Sequence, residues 1–312
     1  MASKGAKIAL TYLITIILTL VIIGGIGYML LNEIMKPEED TGPAVQLEQM
    51  VTIEDYVPVP ENNKTTLVIF DSEKRMSGCC FMLIRMLADE RYLTVMPIPA
   101  DTYAKVGSTE DSIYEFYRLG GTADAVEAVE AATDVEIDYY LKLNNESFGV
   151  VVDIFGGVDF TVPYNLEYSN TDTGEETIFR EGENYLDSQA MRKIITYPLY
   201  NSGEEYRAKM LGVAVSDLIN RNVTPGFSSH IDDYFSTIIN SSVETNFTAY
   251  DYEKQGQAIK YVSESSDRIC QLLTVTGAYN DNSLFVLDEN FLKSLPERFG
   301  LDDGTTDAGL SE

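Results

Sequence analysis

The chain has 312 residues, with 22 Lys or Arg against 50 Asp or Glu, one His, and a formal net charge of −28. That charge repels phosphate backbones and excludes nucleic acid as a partner. Three cysteines, Cys79, Cys80 and Cys270, are too few for a disulfide framework. The single His230, with no Cys/His cluster, speaks against zinc and against a His-based catalytic triad.

The first predicted element is a membrane span. Residues 8–31 carry no charged side chain, and a helix of that length crosses a hydrocarbon core of about 30 Å. Lys4 and Lys7 precede the run and no acid comes before Glu33, which places residues 1–7 in the cytoplasm and the rest outside. A cleaved signal peptide would have a shorter apolar region and a small-residue cleavage site; Asn32-Glu33-Ile34-Met35-Lys36 offers none. Beyond the run, 20 basic residues face 50 acids, a net of −30. An anionic ligand would therefore need a local basic pocket or a bridging divalent cation. Residues 32–64, rich in Pro and acids, read as an extended extracytoplasmic linker.

The domain expected over 65–300 opens with a β-rich apolar run at 66–70. Two more strands follow at 81–87 and 92–98, with Asp89-Glu90-Arg91 as the turn between them. Helices are expected at 112–119 and 122–132, parted by Gly120-Gly121, and a strand at 139–143. A helix at 145–155 stops at Gly156-Gly157, which suits a left-handed cap. Val158-Asp159-Phe160-Thr161-Val162-Pro163 alternates as a half-buried strand does. Helices at 186–197 and 204–220, short strands at 275–277 and 284–287, and a helix at 289–295 complete the pattern. The tail, 301–312, is expected to be disordered. Alternating strands and helices predict an α/β domain with one core. The apolar run Cys79-Cys80-Phe81-Met82-Leu83-Ile84 predicts buried free thiols, with a bridge from one of the pair to Cys270 left open.

Several segments, in consistent order over about 65–295, resemble the LytR-CpsA-Psr family of envelope proteins. Val68-Ile69-Phe70-Asp71-Ser72-Glu73-Lys74-Arg75 stands where that family has an apolar strand and Gly-x-Asp-x-Arg. Pro97-Ile98-Pro99-Ala100-Asp101-Thr102 is similar to its Ile-Pro-Arg-Asp-Thr. Residues 137–144 match its middle, residues 148–163, with Gly156-Gly157-Val158-Asp159, are the closest stretch, and Tyr185-Leu186-Asp187-Ser188-Gln189-Ala190 and Val243-Glu244-Thr245-Asn246 follow. The resemblance implies one transmembrane helix followed by a three-layer α/β/α domain with a central mixed sheet. It also implies transfer of polyprenyl-pyrophosphate-linked anionic glycopolymer to peptidoglycan, with the lipid in an apolar pocket and arginines and Mg2+ on the pyrophosphate.

Gripping a diphosphate needs fixed cations aimed at its developing charge. By the resemblance, several such positions have changed. The Arg of Ile-Pro-Arg-Asp-Thr is Ala100, another Arg falls at about Ser77, and a metal-associated Asp falls at about Cys79. The later Gly-Arg-x-x-Arg-Gln reads Gly203-Glu204-Glu205-Tyr206-Arg207-Ala208. The candidates that remain are Arg75, Arg207 and Asp101 for catalysis and Glu73 as a metal ligand. Each has a plainer reading: ion-paired arginines, a solvated glutamate, an aspartate bracing the turn after Pro99. The expected function is that of a divergent family member, binding the lipid-linked polymer or regulating its attachment, with transferase activity weakened or lost. The alternatives are an active transferase with a rewired site and a purely structural envelope protein.

Overall fold

The computed structural model describes residues 56–71, 76–170, 174–265 and 268–301. The span expected at 8–31, the end before it, most of the linker, and residues 302–312 lie outside them, as do Glu73 and Arg75. Among the described residues no helix is long and apolar enough to cross a membrane.

In chain order the elements are β1 (Lys64–Asp71), β2 (Cys79–Leu87), β3 (Tyr92–Ile98), a hairpin of β4 (Tyr103–Val106) and β5 (Thr109–Ser112), and α1 (Ile113–Thr133). There follow β6 (Tyr139–Leu143), α2 (Asn145–Phe155), β7 (Val158–Val162), β8 (Leu166–Ser169), β9 (Glu176–Phe179), β10 (Gly182–Leu186), α3 (Ser188–Ile195) and α4 (Gly203–Asn222). The last are α5 (Ile231–Ser241), β11 (Glu244–Thr245), α6 (Ala249–Ser263), β12 (Cys270–Leu272), β13 (Gly277–Tyr279), β14 (Phe285–Leu287) and α7 (Glu289–Arg298). The fold is mixed α/β.

Its centre is a six-stranded sheet in the order β11-β6-β1-β2-β3-β12. β1, β2 and β3 are antiparallel neighbours, while β6 runs parallel to β1 and β12 parallel to β3, so the sheet is mixed. Side chains on a strand alternate between faces, and both faces of this sheet are covered. Val68, Phe70, Cys80, Met82 and Leu143 pack with α2, α3, α4 and β7 on one side. Leu67, Ile69, Cys79, Phe81 and Leu83 pack with α1, α7 and β14 on the other. Cys79 and Cys80 therefore point to opposite faces. Cys270 pairs with Leu93, at the far end of β3 from the Ile98–Phe81 pair, out of reach of both. All three thiols are buried and free.

Local chemistry explains most boundaries. The Ser112 side chain accepts from the Glu115 N–H and starts α1, which Gly121 interrupts at φ 74°, ψ −153°, a conformation suited to glycine. Asn144 caps α2, and Gly156 ends it in the left-handed region at φ 84°, ψ 15°. The helix expected at 186–197 is shorter: Leu186 closes β10, and the Asp187 carboxylate accepts from the Ala190 N–H to start α3 at Ser188. The late strands fall at 277–279 and 285–287 rather than 275–277 and 284–287. α5, α6, β10, β11, β12 and the β4–β5 and β8–β9 hairpins had no counterpart in the sequence pattern.

Candidate functional site

The chemistry gathers where β1 ends, β2 begins and β3 gives way to Pro99-Ala100-Asp101. Arg207, on α4, reaches into this end of the sheet and is only 3% exposed. Its Nη2 donates to the Met76 carbonyl at 2.9 Å. Its Nη1 donates to the Cys79 carbonyl at 3.3 Å and lies 3.6 Å from Cys80 Sγ. Glu204, one turn earlier on α4, forms an ion pair with it.

Asp101 lies within electrostatic range of Arg207. It is 8% exposed, and its Oδ1 has no hydrogen-bond partner among the described residues. Burial raises its carboxyl above the ordinary value; the Tyr279 hydroxyl and the Arg207 charge pull the other way, and Glu205 raises it further. The turn itself is tied by main-chain bonds: the Thr102 N–H donates to the Pro99 carbonyl, and the Phe285 N–H to the Asp101 carbonyl, which joins the turn to β14. Ala100, 2% exposed, brings no side-chain donor to this end.

On the other face of the sheet, the Tyr117 hydroxyl donates to Asp71 Oδ2 at 2.7 Å. Lys142 Nζ sits 5.1 Å from the centre of the Tyr117 ring and 4.0 Å from the Glu244 carboxylate, which also accepts from Thr122 at 2.8 Å. Burial, then Asp71, raises the Tyr117 phenol. The Cys79 thiol, raised mainly by burial, feels Arg207 and Lys142 as two stabilising cations. The structure thus brings Arg207 and Asp101 together and adds Asp71, Tyr117 and Lys142, which sequence reasoning missed. The available signal was a lysine inside the apolar strand Tyr139-Tyr140-Leu141-Lys142-Leu143.

Donors for the Mg2+ implied by resemblance are thin. Asp71 is engaged by Tyr117 and Asp101 is buried. Among the described residues no group of three His, Cys, Asp or Glu side chains could hold a metal ion.

Beside the polar end lies a cavity of about 160 Å³ with a wholly apolar lining. It runs between the sheet and helices α2, α3 and α4, walled by Val68, Phe70, Cys80, Met82, Ile84, Leu141, Leu143, Phe148, Met191, Leu211 and Ile219, with Ile238 of α5 at one side. An apolar cavity of roughly this size stays dry and admits a small hydrocarbon. The lining is graded along its length. Phe70, Cys80, Leu143 and the next residue along β2's face, Met82, are buried, whereas Val68, Ile84, Leu141 and Ile238 are half-buried.

The family model LytR_cpsA_psr matches residues 71–298. The chain belongs to the LytR_cpsA_psr family. Among its relatives is the polyisoprenyl-teichoic acid–peptidoglycan teichoic acid transferase TagU of Bacillus subtilis (strain 168). It is 32% identical over 168 residues, covering 50% of this chain and 53% of that protein. The transferase of the same name from Bacillus licheniformis is 30% identical over 190 residues, covering 54% and 60%. The matched stretch thus spans little more than half the length of these curated relatives. Among solved structures, B. subtilis TagV superposes with a TM-score of 0.61 at 18% identity, over 77% of this chain and 96% of that one. Protein gbs0355 of Streptococcus agalactiae does so with a TM-score of 0.62 at 16% identity, over 80% and 89%. These likenesses support the fold: a mixed α/β domain around a central mixed sheet.

Proposed function

We propose that this chain is a divergent LytR_cpsA_psr protein of the cell envelope that binds a polyprenyl-linked glycopolymer, its lipid in the apolar cavity, and that its phosphotransferase activity is weakened or lost. The observation that carries the reading is the cavity itself: a gap with a wholly apolar lining beside a polar sheet end. A tightly filled core would have suited a purely structural protein. The names of the TagU relatives supply the ligand class, a polyisoprenyl-linked teichoic acid, and the acceptor, peptidoglycan. The single-pass anchor at 8–31, with the domain outside the cell in an α/β/α arrangement, belongs to the same proposal, as do Glu73 as a metal ligand and Arg75 as a phosphate contact.

Weak chemistry follows from charge. Each lost charge-assisted contact to a transition-state phosphate costs about 3–4 kcal/mol, or about 10²–10³ in rate. Ala100 supplies no such contact, and Arg207 spends donors on main-chain carbonyls. The test is incubation of the full chain, in detergent, with a polyprenyl-pyrophosphate glycan, peptidoglycan and Mg2+. Transfer at the rate of the TagU relatives would sink the proposal of weakened activity. The active, rewired alternative draws on Lys142, which brings a cation to the Tyr117–Asp71 pair. It predicts that Lys142→Ala and Arg207→Ala each abolish turnover.

A further inference from the structure

We propose that Arg207 is a positioning residue that fixes the backbone of residues 76–80 and, through Cys80, closes one end of the apolar cavity, rather than a ligand of the pyrophosphate. The inference rests on the lipid-binding reading above.

Three observations converge on it. A phosphate ligand must present N–H groups to an incoming anion, yet this guanidinium is 3% exposed. Its two terminal nitrogens already donate to the carbonyls of Met76 and Cys79, at either end of the short turn that leads into β2. Glu204 neutralises its charge from the same helix face. A planar five-donor fork reaches two separated carbonyls with two different nitrogens, whereas an ammonium must serve both from a single nitrogen.

The consequence reaches the cavity through Cys80. Its Sγ lies 3.6 Å from Arg207 Nη1 and 3.7 Å from the Ile195 carbonyl, so the thiol is held between α4 and the end of α3. Cys80 lines the cavity with Phe70 and Leu143, which are its register partner and that residue's neighbour across β1 and β6. These three walls are buried; further along, Met82 is still buried, whereas Val68, Leu141 and Ile84 are half-buried. The end that Arg207 braces is therefore the shut end.

The test compares the wild-type full chain with Arg207→Met, Arg207→Lys and Glu204→Gln. Two ligands are used, undecaprenyl phosphate and the uncharged undecaprenol, with Ellman's reagent as a probe of thiol exposure. Positioning predicts that Arg207→Met weakens both lipids alike, by about tenfold, because the cavity wall loosens for either. Cys79 and Cys80 become reactive while Cys270, at the far end of β3, stays protected. Arg207→Lys recovers part of that protection. A loss confined to undecaprenyl phosphate, with thiols still protected, would overturn the proposal. Equal exposure of Cys270 marks global unfolding, and Glu204→Gln then decides.

Glu204→Gln leaves the guanidinium in place and serves if Arg207→Met does not fold. Positioning predicts an unchanged ratio of affinities for the phosphate and the alcohol. A ligand role predicts a rise, since the neutralising acid is gone. If wild type binds neither lipid, the lipid-binding reading fails, and thiol exposure in Arg207→Lys still decides whether Arg207 braces the turn.

Discussion

Filling the cavity tests the lipid-binding reading most directly. Val152, on α2, is 1% exposed and lines the cavity wall. Val152→Phe adds about 50 Å³ of side chain, about a third of the 160 Å³ available. At about 24 cal/mol per Å³, filling that space contributes about 1.2 kcal/mol. Rotamer strain from inserting a ring costs about 1–3 kcal/mol. The variant should therefore lose no more than about 2 kcal/mol, a fall in Tm of about 4–8 °C for a domain of this size. Binding should suffer more selectively. Displacing about three methylene groups of a polyprenyl chain, at about 0.8 kcal/mol each, costs about 2.4 kcal/mol, or about 50-fold in Kd. The assay is titration of undecaprenyl phosphate into the full chain in detergent, with a melting curve on the same sample. A Kd within twofold of wild type, in a variant that melts cooperatively, would show that the chain does not lie in this cavity.

Two predictions concern titration. Asp101 has a carboxyl raised by burial, so its protonated form favours the native state. That stability is fully present below the unfolded value of about 3.9 and is lost as pH rises through the native value. Asp101→Asn cannot titrate, so its stability relative to wild type should climb as pH rises above about 4 and then level off, as read by urea unfolding. A flat or falling difference would contradict the burial argument. The three thiols should be silent in the native state. Burial raises Cys79 and Cys80 and pushes Cys270 up to about 12, so Ellman's reagent at about pH 8 should detect none before unfolding and three after. A fast-reacting native thiol would mean that one wall of the core is open.

What the sequence disclosed, and what it hid, follows from where each element gets its stability. The buried run of β1, the alternation of β7 and the glycine stop of α2 are local signals, and all three stand where the pattern put them. α5 carries a readable stripe that was passed over, Ile231, Tyr234, Phe235, Ile238 and Ile239 at helical spacing, although only Ile231 is buried. α6 also carried a readable sign, the Thr248–Asp251 capping box. β12 is three residues long and exists because β3 offers it an edge. The site shows the same division. That Arg207 lies on a helix was legible; that the helix aims it at carbonyls in another segment was not, because that depends on tertiary packing. Lys142 was passed over for the same reason: its ring partner Tyr117 lies on a different element.

The balance of charge at this end of the sheet leads to a last prediction, about salt. The domain beyond the apolar run is 30 charges negative. Locally, Asp71, Asp101, Glu204 and Glu205 share the polar end with Arg207 and Lys142, and each of these cations has a carboxylate within ion-pair distance. Among the described residues, this end offers a phosphorylated lipid little net positive charge, so the prediction is that its affinity comes from burying hydrocarbon. Surface attraction between opposite charges weakens as the Debye length falls from about 14 Å to about 4 Å between about 50 and 500 mM NaCl. Hydrophobic burial does not weaken over that range. Affinity for undecaprenyl phosphate should therefore stay level or rise with salt, since screening relieves the repulsion from the acids. Titrations at the two salt concentrations, with undecaprenol as the uncharged control, measure this. A tenfold loss of the phosphate's affinity at high salt, absent for the alcohol, would reveal a cationic cradle and would restore the case for an active transferase.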